Sequence, residues 1–184
     1  MIAQDRRVRR TQTRLAQALI DLTLERGYEE VTIRDITERA AIGYATFFRH
    51  YHDKDALLQA VLDVVLAEIT GLLAPVSRAG DSLAVGVVVF RYVQAHTAVV
   101  RVLLGSRLVL QRLIAVVTDR IAADHAPRPD SVVPLAIAAH HYVSATIALI
   151  GWWLDAGLPY PPEQMGRIYH ELISVPTGAL AFAQ

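Results

Sequence analysis

The chain has 184 residues, 53% of them hydrophobic and 20% charged, a balance that supports a sizeable core and excludes a disordered chain. It contains no cysteine, which excludes a disulfide framework and any thiolate metal site. Eighteen basic and eighteen acidic residues leave no formal net charge, so a polyanionic partner has to be argued from where the charges lie.

Residues 1–54 hold ten basic against eight acidic side chains, and the balance reverses in residues 55–184. At the start, Arg6, Arg7, Arg9, Arg10 and Arg14 face only Asp5, which reads as a basic arm ahead of the first helix, either a solubilising tail or a DNA contact. Met1–Arg10 lacks the apolar run of a secretory signal, and the reducing interior of a cell is the expected compartment, so the chain is expected to be cytoplasmic. The apolar stretch Pro134–Leu154 is interrupted by His140, His141, Tyr142, Ser144 and Thr146 and is expected to be a buried soluble helix rather than a membrane span.

Apolar residues recur at spacings of three and four nearly throughout, which predicts an all-α fold. The first helix is expected over Arg10–Arg26, carried by Leu15, Leu19 and Leu22 and ended by Gly27. Thr32 caps a short second helix with Asp35 in its first turn and Ile33, Ile36 and Ala40 inward. After Ala40-Ala41-Ile42-Gly43 a short third helix is expected over Tyr44–Tyr51, with Phe47 and Tyr51 on its buried side. Asp53 caps a long fourth helix whose stripe runs from Leu57 to Leu72, up to Pro75. Further helices are expected near 82–96, 98–104, 107–124, 131–156 and 162–174, separated by the Pro- and Gly-containing loops 126–130 and 157–162.

Two short helices joined by a tight four-residue turn have the geometry that places a recognition helix in the DNA major groove. The stretches Glu25–Ile36, Ala40–Tyr51 and Asp53–Leu57 resemble, without a gap, the DNA-binding domain of the TetR family of repressors. That resemblance implies an N-terminal helix-turn-helix domain over residues 1–54, basic arm included. It also implies a helical ligand-binding and dimerisation domain over 55–184, joined through the long helix. The segment Trp152–Tyr160 is similar to one in the C-terminal halves of some members.

The chain departs from the family pattern at Ala41, where the turn usually has glycine, at Gly43, where a serine cap is common, and at Phe48, where a tyrosine usually offers its hydroxyl to a phosphate. By the resemblance, Tyr44 and Thr46 face base edges, and Thr46 can offer its methyl to thymine. Arg34 has a fork suited to guanine, and Thr32, Phe48, Arg49 and His50 complete the DNA-binding set. Lys54, the only lysine, stands in the first turn of a helix, where a cation opposes the dipole; a DNA phosphate in front of it would answer that anomaly.

For the second domain the expectation is a mostly apolar small-molecule effector among the fourth to eighth helices, with Phe90, Leu104, Leu108 and Tyr142 as walls and Arg91, His96 and Arg101 as orienting groups. A twofold dimer is expected from the last two predicted helices through Tyr142, Thr146, Leu149, Trp153, Met165, Ile168, Tyr169 and Leu172, so the DNA site should be near-palindromic. The partners implied are thus double-stranded operator DNA, an effector and a second copy, with no membrane, metal or cofactor. An enzyme reading would lean on His140, His141, Tyr142 and His96, but adjacent helical residues point about 100° apart and cannot share one site. A TetR-like interaction module that no longer binds DNA is the alternative function, motivated by Ala41, Phe48 and the neutral net charge.

Overall fold

The structure, a computed structural model of the chain, describes residues 2–182, with side chains from residue 6 onward; Met1 and the Asp5 side chain lie outside that description. In chain order the helices are α1 (Ile2–Arg26), α2 (Ile33–Arg39), α3 (Tyr44–Phe47), α4 (Lys54–Arg78), α5 (Ser82–Ala95), α6 (Thr97–Gly105), α7 (Arg107–Asp124), α8 (Leu135–Asp155), α9 (Pro162–Tyr169) and α10 (Val175–Ala181), with a π-helical turn at His170–Ser174. Among the described residues there is no strand, only one antiparallel bridge between Pro127 and Phe182.

Most helices start and stop within a few residues of the sequence expectation, and the exceptions have local causes. The basic arm is not a tail: α1 begins at Ile2 and carries it as helix. α8 starts at Leu135 rather than 131, because Pro134 holds extended backbone at its cap, φ −59° and ψ 139°, and disfavours helix in the residue before it. The last expected helix stops at Tyr169 and widens into the π turn. Pro176 in the first turn of α10 has no N–H for the carbonyl four residues back, so the ladder changes register ahead of it.

The chain forms two compact units. The first comprises the residues up to Leu66 together with Ala98–Val109. Leu15 and Leu19 of α1, Ile36 of α2, Phe47 of α3, and Leu57, Leu58 and Leu62 of α4 are completely buried, each contributing about 1.5–3 kcal/mol. These are the periodic positions that the spacing singles out, and their burial fixes the two short helices against the long ones.

The second unit comprises Ala67–Thr97 and the residues from Leu110 onward. Its α5 and α9 cross at Gly86 and Gly166, where a Cβ at Gly86 would lie 2.8 Å from the Gly166 carbonyl oxygen. Phe90 packs edge-to-face on Trp153, ring centres 5.2 Å apart, and both are fully buried. The Trp153 indole N–H donates to the Tyr160 carbonyl at 3.0 Å.

This packing corrects several expectations. Trp153, Met165 and Tyr169 are 0–1% exposed and belong to the protomer's own core, so they cannot meet a second copy; Thr146, Leu149, Ile168 and Tyr142 are half-buried and Leu172 is exposed. Tyr142 does meet Tyr169, hydroxyl to hydroxyl, within the chain. Among the expected effector contacts, Phe90 is occupied by Trp153, and Arg91 is exposed and ion-paired to Glu163 at 2.8 Å. His96 is exposed and lies against the Tyr92 ring, centres 4.3 Å apart. Arg101, Leu104 and Leu108 fall in the first unit, with Leu108 half exposed, whereas Phe90, Arg91, His96 and Tyr142 fall in the second. Nor is α8 a buried helix: α4 and α8 are each long and apolar enough to cross a membrane by length and composition, yet only 22% of either apolar window is buried within the chain.

Candidate nucleic-acid interface

The first unit builds its turn from the caps outward. Asp35 accepts from the Thr32 backbone N–H at 2.9 Å while the Thr32 hydroxyl oxygen accepts from the Asp35 N–H at 3.2 Å, a reciprocal cap that starts α2. Arg26 closes on the same carboxylate at 2.7 Å. The Thr32 hydroxyl and N–H, the Thr32 hydrogen bonds counting most, together with Arg26, hold the Asp35 carboxyl down at about 2. Arg39 grips both oxygens of Glu25 at 2.8 Å each, tying the other end of α2 to α1. Thr32 is exposed, but its polar groups serve this cap.

The turn itself keeps the left-handed step that the family usually gives to glycine. Ala41 has φ +49°, at a cost of about 1 kcal/mol for a residue with a Cβ. The surrounding bonds impose it: Ala41 N–H donates to Glu38 at 3.0 Å and Ile42 N–H to Thr37 at 2.9 Å, which closes the end of α2. Gly43 caps α3 at φ −63° with no side-chain bond. Only Tyr44–Phe47 is α-helical. The segment expected to continue to Tyr51 tightens instead, with Arg49 and His50 bonding three residues back, the 3₁₀ pattern common at helix ends.

Phe47, fully buried, anchors this short element, and the Tyr51 ring lies tilted beside it with ring centres 5.8 Å apart. The opposite side is presented outward: Tyr44 is 55% exposed and Phe48 47%, their rings 5.2 Å apart edge-to-face. Arg49 donates to the Thr46 hydroxyl at 2.9 Å, so those two candidates act as a pair. His50 is half-buried beside Tyr51, ring centres 6.2 Å apart. Exposed Arg34 lines a concavity of about 630 Å³ with Thr37, Glu38, Ala41, Ile42, Gly43 and Tyr44. Thr37, Glu38 and Ile42 were not singled out by the sequence, since residue identity at the end of α2 and in the turn does not say which side chains line the hollow between them.

Lys54 requires a correction. Its ammonium donates to the carbonyls of Tyr28 at 2.9 Å, Val31 at 3.1 Å and Glu29 at 3.3 Å, and it lies over the Tyr28 ring, 4.4 Å from the centre. The unfavourable position at the start of α4 is therefore compensated inside the chain, by carbonyl oxygens of the α1–α2 loop, without a phosphate. Tyr28 in turn donates to Asp55, and burial above all, then that bond, pushes its phenol well above the usual tyrosine range.

Residues 16–61 match the family described as bacterial regulatory proteins, tetR family, and residues 85–175 match the one described as transcriptional regulator C-terminal region. The chain is 30% identical over 187 aligned positions to the uncharacterized HTH-type transcriptional regulator YxbF of Bacillus subtilis, covering 93% of this chain and 46% of that protein. It is 42% identical over 59 residues to the HTH-type transcriptional repressor Rv3405c of Mycobacterium tuberculosis, 32% of this chain and 31% of that one. The chain thus covers less than half the length of these curated relatives. In fold it is similar to a putative TetR-family transcriptional regulator from Syntrophomonas wolfei, with a TM-score of 0.71 at 15% identity over 91% of this chain and 94% of that one.

Proposed function

The chain belongs to the TetR family of transcriptional regulators and is not an enzyme, and from that premise we propose that it is a cytoplasmic, homodimeric repressor that a small, mostly apolar effector releases from a near-palindromic operator. The observation that carries this reading is the outward presentation of Arg34 and Tyr44, which line one concavity, and of Phe48 and Arg49 on the same short element, on helices locked from beneath by Phe47 and Ile36. Polar forks and apolar groups set side by side on a rigid support suit base edges and thymine methyls in a major groove.

The second copy supplies what α8 lacks. Tyr142, Thr146 and Leu149 on α8, with Ile168 on α9 and Leu172 in the π turn, leave apolar surface uncovered in a single chain, and a twofold arrangement covers the same patch on both copies. The effector is taken up among the helices of the C-terminal domain and acts on the latter half of α4, which is continuous with Lys54 at its start. Two recognition elements must fit successive major-groove turns about 34 Å apart, so a small displacement suffices. By linkage, an effector that weakens DNA binding tenfold binds the DNA complex tenfold less tightly. Footprinting of the purified chain on the DNA flanking its own gene tests the proposal: a protected, near-palindromic site supports it, and salt-insensitive or absent DNA binding overturns it in favour of an interaction module.

A further inference from the structure

The family match begins at residue 16, so the first half of α1 lies ahead of it, and it is rich in arginine. Arg6, Arg7, Arg9, Arg10 and Arg14 are all exposed on this helix. Arg6 and Arg10, and again Arg10 and Arg14, are like charges four apart, which repel along a helix face; cations near a helix N-terminus also oppose its dipole. Beyond residue 5, the first acidic residue on α1 is Asp21. Such a helix is disfavoured in isolation and favoured beside a polyanion.

Its position supplies the polyanion. α1 packs against α2, and Arg14 reaches the Ala41 carbonyl at 3.5 Å. α1 therefore passes beside the turn at Arg14, and its earlier arginines continue along the helix. At 1.5 Å per residue, Arg10 and Arg6 lie about 6 and 12 Å farther along the axis than Arg14, a length over which duplex DNA presents about seven phosphates. We propose that the N-terminal half of α1 is a second DNA contact, in which Arg6, Arg7 and Arg10 bind phosphates flanking each half-site, outside the bases read from α2 and α3. Arg9 and Arg14 already have partners within the chain and are not assigned to it. The inference rests on the DNA-binding reading above and extends the footprint.

The test uses the full chain and a duplex recovered by it from a randomised pool, in one form trimmed to the half-sites and another extended by about one helical turn at each end. The unaltered chain is expected to bind the extended form at least tenfold more tightly. Arg6→Gln/Arg7→Gln/Arg10→Gln is expected to lose that advantage, to keep its base preference, and to show a slope of log affinity against log salt smaller by at least about 2, each lost phosphate contact removing about 0.9. The matching triple Arg→Lys variant is expected to restore the slope. A Gln variant that keeps the original slope and flank dependence overturns the inference, as does a Lys variant as impaired as the Gln one, which marks a structural role. Failure of the unaltered chain to recover any duplex overturns the DNA-binding reading as well, and so is told apart from the other outcomes.

Discussion

Gly86 and Gly166 meet where α5 crosses α9, and neither has room for a side chain: a Cβ at Gly86 would lie 2.5 Å from the Tyr169 ring as well as 2.8 Å from the Gly166 carbonyl, and one at Gly166 would lie 2.7 Å from the Val87 backbone nitrogen. Backbone cannot yield as a flexible side chain can, so the two helices must part if either glycine gains a methyl. Gly86→Ala or Gly166→Ala is expected to destabilise the second unit by about 1–3 kcal/mol, read as a lowered midpoint in thermal unfolding. A control change at Gly151, where a Cβ meets nothing within 4 Å, should leave the midpoint unchanged or slightly raised.

The Lys54 network predicts that this residue is a positioning group before it is a DNA contact. Lys54→Ala leaves three carbonyls of the α1–α2 loop without their cation, and it is expected to cost about 1–3 kcal/mol of stability together with a uniform loss of affinity across DNA sequences. Unfolding and DNA titration of the same preparation check this. A variant that weakens DNA binding with an unchanged unfolding midpoint would return Lys54 to a phosphate.

Base reading and backbone contact should separate at Arg34 and Phe48. Arg34→Ala is expected to relax preference at one position in each half-site at a cost of about 1–3 kcal/mol. Phe48→Tyr adds a hydroxyl to an exposed ring and is expected to tighten all sequences alike by about 1 kcal/mol. Competition binding against a panel of single-base operator variants distinguishes the two patterns.

Asp35 sets an acid limit on the first unit. Its carboxyl titrates at about 2 in the folded chain against 3.8 ordinarily, so the unfolded state binds the proton more readily. The stabilisation is complete above roughly pH 4 and is lost as pH falls from about 4 towards 2. Asp35→Asn is expected to flatten that part of the curve of unfolding midpoint against pH. A native-like acid limb in the variant would assign the lability to another carboxylate.

What was legible in the chain follows from range. Periodic leucines report the buried faces of α1 and α4 directly, because each repeats every turn, and the family motif covers the turn and recognition element residue by residue. Trp153, Met165 and Tyr169 were misjudged for the complementary reason: an apolar stripe says that a face is covered, and not whether the cover is the same chain or another. Lys54 was misread because its partners are backbone carbonyls of a loop more than twenty residues upstream, and a carbonyl leaves no trace in residue identity. Ala41 was legible as a departure, but its retained φ of +49° follows from bonds to Thr37 and Glu38 that only the folded turn reveals.

Lys54 is the only lysine in the chain, so it provides the sole side-chain amine, and that amine is held by the carbonyls of Tyr28, Glu29 and Val31. Acylating reagents attack an amine only once it is released and deprotonated. Their reaction with this side chain is therefore a clock for one event, the moment at which the α1–α2 loop lets go of the start of α4. The joint between the DNA-reading elements and the long helix behind them carries its own chemical reporter, which can be timed with and without DNA and needs no introduced label.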